Sequence, residues 1–464
     1  MDSQQQRNRS HLARALLFAG ALVVLTAGIL LLQRFGQQAG PARPGLTARE
    51  LTTAAAAQSP AADTSNDEQG AHALTELAIE LLKENEAVKT GRSALVSPLS
   101  VAEALAMTAN GAQGSTRQQM ETILGLDVAS LNEYLNAQRA GLPGLDEQDG
   151  DPSVRISNSI WLRYMPELTV ETPFLQTAET WYGASIFSAP FDTTTARDIN
   201  EWVRYETDGM LDQLLDEREA LPDEAMVYLV NALAFEGAWE TPYDDALVST
   251  APFTCEDGTQ HDVELMYSFE GTYFEADLAS GRVAVDDQQP LAVDDANRIT
   301  GFLKRYQGGS FAFVALLPPE GISIADFVER LSGTTLASIL DAPRSNPVDA
   351  YLPSFSYDYR TDLAKQLESL GMAEAFDPVR ANFGGISTTV PLYLSSVIHQ
   401  AHIDVDREGT SAAAATVVEM RAGASGPAQQ AEVKTVRLDR PFIYLIVDTR
   451  TSTPLFLGTY LGDA

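Results

Sequence analysis

From Ala71 onward the apolar residues fall into two rhythms, one helical and one alternating. Leu74, Leu77, Ala78, Leu81 and Leu82 recur at helical spacing and predict an amphipathic helix. Ser97-Pro98-Leu99-Ser100 opens a second helix: Ser97 suits the cap, Pro98 suits the first turn, and Ala102, Leu105, Ala106 and Ala109 form its packed face. A turn at Gly111–Thr116 leads to a third helix around Gln118–Leu124. Ile156–Leu162 reads as a strand, Asp198–Leu215 as a helix, and Met226–Phe235 as a long buried strand. Phe311–Leu317 reads as another strand, stopped by Pro318-Pro319, and Thr361–Leu370 as a helix ended by Gly371. Phe442–Val447 and Leu455–Gly458 predict a hairpin that turns near Thr449–Thr453. Helices dominate early and strands late, which favours an α+β domain over alternating βαβ units.

Asp406–Met420 obeys neither rhythm cleanly. Taken with period two, one face is Thr410, Ala412, Ala414, Thr416, Val418 and Met420. The other is Ser411, Ala413, Ala415, Val417, Glu419 and Arg421. The first face is small, then apolar, and suits a strand entering a packed interior. Alanine content alone favours a surface helix over Glu408–Met420, although Thr416-Val417-Val418 is a β-branched run that a helix disfavours. Ala422–Gln430 reads as an exposed loop. A segment with the marks of both loop and buried strand is expected to change between the two.

Ahead of the folded part, Arg7, Arg9 and Arg14 precede an apolar run over Ala15–Leu32, long enough to span a bilayer. Residues 1–35 are expected to be an uncleaved signal anchor or a cleaved secretory signal. Either places the rest outside the cytoplasm. Residues 36–70, rich in Ala, Gln, Pro and Ser, read as a flexible tether, and residues 71–464 as one domain. The net charge of −33 repels nucleic acid and anionic lipid. A single cysteine, Cys255, permits no internal disulfide, so the core must supply the stability.

The chain holds no Gly-x-Ser-x-Gly, His-Glu-x-x-His, phosphate loop or dinucleotide fingerprint, which argues against an enzyme. His399 and His402, with Asp404 nearby, make a weak metal candidate because alternation suggests a strand there. No metal or cofactor is expected.

Ser97-Pro-Leu-Ser100, Asn110–Thr116, Asn231–Trp239, Leu352-Pro-Ser-Phe355, Leu370–Phe376, Phe383–Ser387, Val397–Ala401, Glu408-Gly-Thr410 and Asp439–Phe442 form an ordered set of motifs. Together, in that order, they resemble the serpin family. The resemblance covers Ala71 to Leu461. It implies three β-sheets, about eight or nine helices and an exposed reactive-centre loop. It also implies suicide inhibition: a serine or papain-like cysteine protease cuts the loop, is held as an acyl-enzyme, and is dragged off as the loop inserts into the central sheet. The hinge would be Glu408, Gly409, Thr410, Ser411, Ala412, Ala413, Ala414, Ala415 and Thr416. Ser411 departs from the usual glutamate but belongs to the outward face. An inserted strand of about a dozen residues would release on the order of 10 kcal/mol. Ser97, Ser100, Asn231 and His399 match the family's shutter beneath the opening strands, and Trp239 the aromatic where insertion starts. Glu236 stands where a lysine is common. Counting from the hinge puts the cut bond near Gly423-Ala424, suited to elastase-like or subtilisin-like enzymes, whereas counting back from Pro441 puts it near Gln430. Arg421 would suit a trypsin-like enzyme at the expense of a shorter insertion. The expected partner is a target protease, with the membrane as a second if the anchor persists; a monomer is expected. A non-inhibitory binding protein on the same fold is the alternative.

Overall fold

Periodicity resolves into three sheets and a set of helices, one of them fully buried. The computed structural model describes residues 45–51, 60, 67–142, 152–211, 213–284, 291–342, 346–410 and 433–462. The expected anchor and the loop from Ser411 to Glu432 lie outside them. Among the described residues no helix is long and apolar enough to cross a membrane.

The largest sheet runs β1 (Arg49–Glu50), β4 (Ser185–Ala189), β3 (Ser153–Arg163), β5 (Val227–Ala238), β14 (Gly409–Thr410), β13 (Leu394–Val405) and β12 (Phe355–Asp362). The second runs β2 (Ala94–Val96), β17 (Thr453–Tyr460), β16 (Phe442–Asp448), β10 (Phe311–Leu317), β9 (Arg298–Arg305) and β8 (Tyr273–Asp277). The third runs β15 (Lys434–Arg437), β11 (Val348–Pro353), β7 (Gln260–Glu270) and β6 (Val248–Thr254). Eleven α-helices accompany them among the described residues. Two of these, Glu86–Lys89 and Ala373–Phe376, are single turns, so the longer ones match the expected number.

The Pro98–Ala109 helix is buried along its whole length and touches β3, β5 and β17. A helix small and apolar on nearly every side must sit inside. Ser97 caps it as expected, its Oγ accepting from Ser100 N–H at 3.2 Å. The opposite face of the large sheet carries a second core, in which the Thr193–Glu206 helix packs Ile199 and Trp202 against Trp161, Phe187 and Tyr228.

Two expected helices are corrected. The helix read over Asp198–Leu215 starts earlier, at Thr193, and stops at Glu206. Asp208 and Gly209, with φ of 53° and 83°, turn the chain out of it. The helix read from Thr361 begins only at Ala364, because Thr361 and Asp362 complete β12 opposite His399 and Ile398. The stretch read as a tether contains β1 on the edge of the large sheet, with Ala48 N–H and the Thr47 hydroxyl both donating to Asp198 at 2.6 Å. The C-terminal hairpin forms as read, β16 pairing with β17.

Candidate functional site

The site is the line along which β5 and β13 meet. They run parallel and pair directly from Val227–Leu394 up to Ala232–Gln400. Among the described residues no pairing joins them above that row. At the top, β14 fills the line: Gly409 and Thr410 pair with Ala238 and Gly237 of β5, and Thr410 with Val405 of β13. Gly409 and Thr410, the only paired residues of the expected hinge among the described ones, therefore lie between two strands.

A tight turn delivers it there. The Asp406 carboxylate accepts from Glu408 N–H at 2.8 Å and Gly409 N–H at 3.0 Å. Trp239 holds the turn from the β5 side, its amide donating to Glu408 O at 2.8 Å and its indole N–H to Asp406 O at 2.9 Å. The Tyr243 amide donates to Arg407 O at 2.9 Å. Beneath them Trp239 stacks on Tyr306, ring centres 4.5 Å apart, and the Tyr306 hydroxyl lies 2.6 Å from the Thr410 hydroxyl. Gly237 makes that contact possible, since a Cβ there would come within 3.1 Å of the Tyr306 ring. Burial of the Tyr306 phenol pushes its pKa far up, with the Thr410 hydroxyl opposing, so it stays protonated.

Lower on the same line, Asn158 of β3, Asn231 of β5, His399 of β13 and Thr361 of β12 stand in register as one row. The Pro98–Ala109 helix grips this row from below. Ser97 N–H donates to His399 Nε2 at 3.2 Å, and Asn231 Nδ2 donates to Ser100 O at 3.0 Å and to Asn158 Oδ1 at 2.6 Å. Asn158 Nδ2 in turn donates to the Glu103 carboxylate at 2.6 Å. Burial pulls the His399 pKa down to about 4, with a smaller opposing pull from the Leu95 backbone, so its ring is neutral near pH 7. Burial raises the Glu103 pKa against the pull of Arg139 and Asn158. Ser100 Oγ and Asn231 Oδ1 are buried with no hydrogen-bond partner among the described residues.

The structure thus brings Ser97, Ser100, Asn231 and His399 together, and gathers Trp239, Glu408, Gly409 and Thr410 at the top of the same line. Ser411, Ala412, Ala413, Ala414, Ala415 and Thr416, and the candidate reactive-bond residues Arg421, Gly423 and Ala424, lie outside the described residues. His399 and His402 do not converge: strand alternation puts them on opposite faces, and His402 pairs with Asp358 at 2.9 Å. Sequence reasoning missed Asn158, Glu103, Tyr306 and Lys304. Asn158 is a lone amide in the apolar strand Ile156–Leu162. Lys304 shares the inward parity of Phe302 and Tyr306 along β9.

A sequence model described as serpin (serine protease inhibitor) matches residues 72–462. Human neuroserpin is 26% identical over 393 residues, covering 83% of this chain and 90% of its own. Ovalbumin of Dromaius novaehollandiae is 27% identical over 404 residues, covering 83% and 97%. The native-state crystal structure of tengpin, a thermophilic serpin, superposes with a TM-score of 0.76 at 35% identity, covering 89% of this chain and 99% of tengpin.

Proposed function

The chain belongs to the serpin family, and we propose that it is an inhibitory member that traps a serine protease on its reactive loop. The family consists mostly of protease inhibitors, with exceptions such as ovalbumin, so this reading needs support from this chain's own residues. The observation that carries it is β14, a two-residue seed already paired on both sides within the line to be opened.

Continuing the β14 register gives the rest of the hinge an address. For each loop residue beyond Thr410, the partner steps one residue back along β5 and along β13. Thr416 then falls between Asn231 and His399, the residues now paired with each other. Thr410, Ala412, Ala414 and Thr416 would face the core together. The alanines displace little volume, and the Thr416 hydroxyl would arrive where Ser100 Oγ and Asn231 Oδ1 lack partners.

In the proposed reaction the protease serine adds to the carbonyl carbon of the cut residue, near Gly423-Ala424 or at Arg421. The peptide C–N bond breaks, and the new amino terminus leaves carrying a proton from the protease's general acid. The ester survives if the loop inserts before water attacks it. Papain-like cysteine proteases would be held as a thioester in the same way. The N-terminal segment would place the domain outside the cytoplasm, tethered or secreted.

Incubation with elastase-, subtilisin-, trypsin- and papain-like enzymes, followed by denaturing gels, tests the trap. A complex that survives denaturation is expected with at least one enzyme. Thr410→Arg puts a long cation where 1% of the threonine is now exposed, and should leave loop cleavage intact while abolishing that complex. Clean cleavage of the unaltered protein by every enzyme, with no complex, would assign it to the non-inhibitory members. Mass spectrometry of the cut chain identifies the bond.

A further inference from the structure

Lys304, at the end of β9, is a buried cation that the loop-insertion scheme does not use. Its side chain is 2% exposed. The ammonium lies 2.9 Å from Glu270 Oε1 of β7 and donates to Thr241 O at 3.0 Å. It also sits 4.3 Å from the centre of the Tyr243 ring and 5.5 Å from that of Trp239. An ammonium withdrawn from water is tolerated only where oxygens and ring faces replace its hydration. Every group that does so here belongs either to Glu270 or to the segment Trp239–Tyr243.

That segment is the one that grips the hinge turn. Trp239 and Tyr243 donate between them to the carbonyls of Asp406, Arg407 and Glu408. Among the described residues, the hydrogen bonds and ion pair of Lys304 go to Thr241 and Glu270 and not to these three. Two residues further along the same chain, Tyr306 meets the Thr410 hydroxyl. The end of β9 therefore supports the hinge twice, directly through Tyr306 and at one remove through Lys304.

We propose that Lys304 is a positioning residue for loop insertion: by fixing Trp239, Thr241 and Tyr243 it keeps the hinge turn closed, and so restrains the intact loop from entering the sheet before it is cut. This rests on the inhibitory reading above. Movement of Trp239–Tyr243 away from the turn would strip oxygens and rings from a buried charge, so the ammonium penalises that movement more than a neutral side chain would.

The test uses the full chain with Lys304→Met and Glu270→Gln together, which removes the cation without leaving an unpaired carboxylate. Leu336→Ala, in the Gly333–Asp341 helix packed on Asp67–Lys83, serves as a core variant whose loss of urea midpoint is compared directly. Uncut protein is held below its unfolding temperature, and the appearance of an uncut but heat-resistant monomer is followed. The double variant should convert about tenfold faster than a core variant of equal or lower urea midpoint. Hydrogen exchange at the Trp239 and Tyr243 amides should quicken in the double variant alone. Conversion no faster than in the core variant, or unchanged exchange at those amides, overturns the proposal. If the double variant does not fold, Lys304→Gln carries the same measurements. The inhibitory reading is checked separately: loop-cut unaltered protein that gains no heat resistance defeats that reading, whereas a normal gain with no effect of Lys304 defeats this inference alone.

Discussion

His399 carries the clearest proton dependence at the scale of single residues. Its ring is buried in the row with Asn231 and titrates at about 4, against an ordinary histidine value near 6.5. The unfolded chain therefore takes up a proton at a higher pH than the folded one. Stability is fully present above about pH 6.5 and is lost as pH falls towards 4, amounting to about 2 kcal/mol by pH 5 and about 3 kcal/mol in full. His399→Gln, whose amide oxygen can accept from Ser97 N–H, should remove that share. Urea midpoints of both proteins at pH 7.5 and pH 5 check it: the drop on acidification should be smaller in the variant by about 2 kcal/mol. An equal drop in both would mean that the ring is not the acid-sensitive group. The grouping of Ser97, Ser100, Asn231 and His399 was legible because they sit in short motifs with fixed neighbours. Asn158 and Glu103 were not, because what makes them important is cross-strand register and burial beneath a sheet, and neither is a property of local sequence. Glu103 looks like an ordinary helix-surface acid until Asn158 is brought to it from β3.

Among the elements, β14 matters out of proportion to its two residues. Its two residues lie antiparallel to β5 and β13 at the top of the line between them. A synthetic peptide spanning Ser411–Met420 presents the same alternation of small residues and should add to the sheet below β14, in the register that β14 sets. The expected outcome is a peptide-bound protein that resists heat, no longer forms the denaturant-resistant complex, and is still cut. The same peptide with arginine in place of Thr416 should fail to bind, because that position falls level with Asn231 and His399. Equal binding of both peptides would refute the extrapolated register. Strand and helix positions were legible where periodicity and caps agreed, as at Ser97-Pro98 and in the long run of β5. They were not where the local pattern was ambiguous. The Thr193–Glu206 helix ends at the Asp208-Gly209 turn, a signal outweighed in the reading by apolar residues that continue to Leu215, and Thr361-Asp362 is drawn into β12 by its partners on β13 rather than by its own propensity.

For the whole molecule, direct pairing of β5 with β13 ends at Ala232–Gln400, and above it, among the described residues, β14 is the strand between them. The Pro98–Ala109 helix and its cap hold both sides of this line, Ser100 O accepting from Asn231 of β5 and Ser97 N–H donating to His399 of β13. On the proposed mechanism, a loop severed anywhere between Arg421 and Gln430 would leave its amino-terminal part free to run down the line past Asn231. At on the order of 10 kcal/mol for the added ladder, and roughly 2 °C per kcal/mol for a domain of this size, the melting temperature should rise by on the order of 20 °C after a single cut. Scanning calorimetry before and after limited proteolysis measures it, and mass spectrometry confirms one cut within the loop. Thr410→Arg, cut in the same way, should show little of the gain, because the arginine cannot be accommodated against Tyr306 and Gly237. The comparison separates two causes of heat resistance. If cutting merely relieved strain in the loop, both proteins would gain alike. If the gain comes from a strand entering between β5 and β13, only the protein with a small residue at the entering face obtains it.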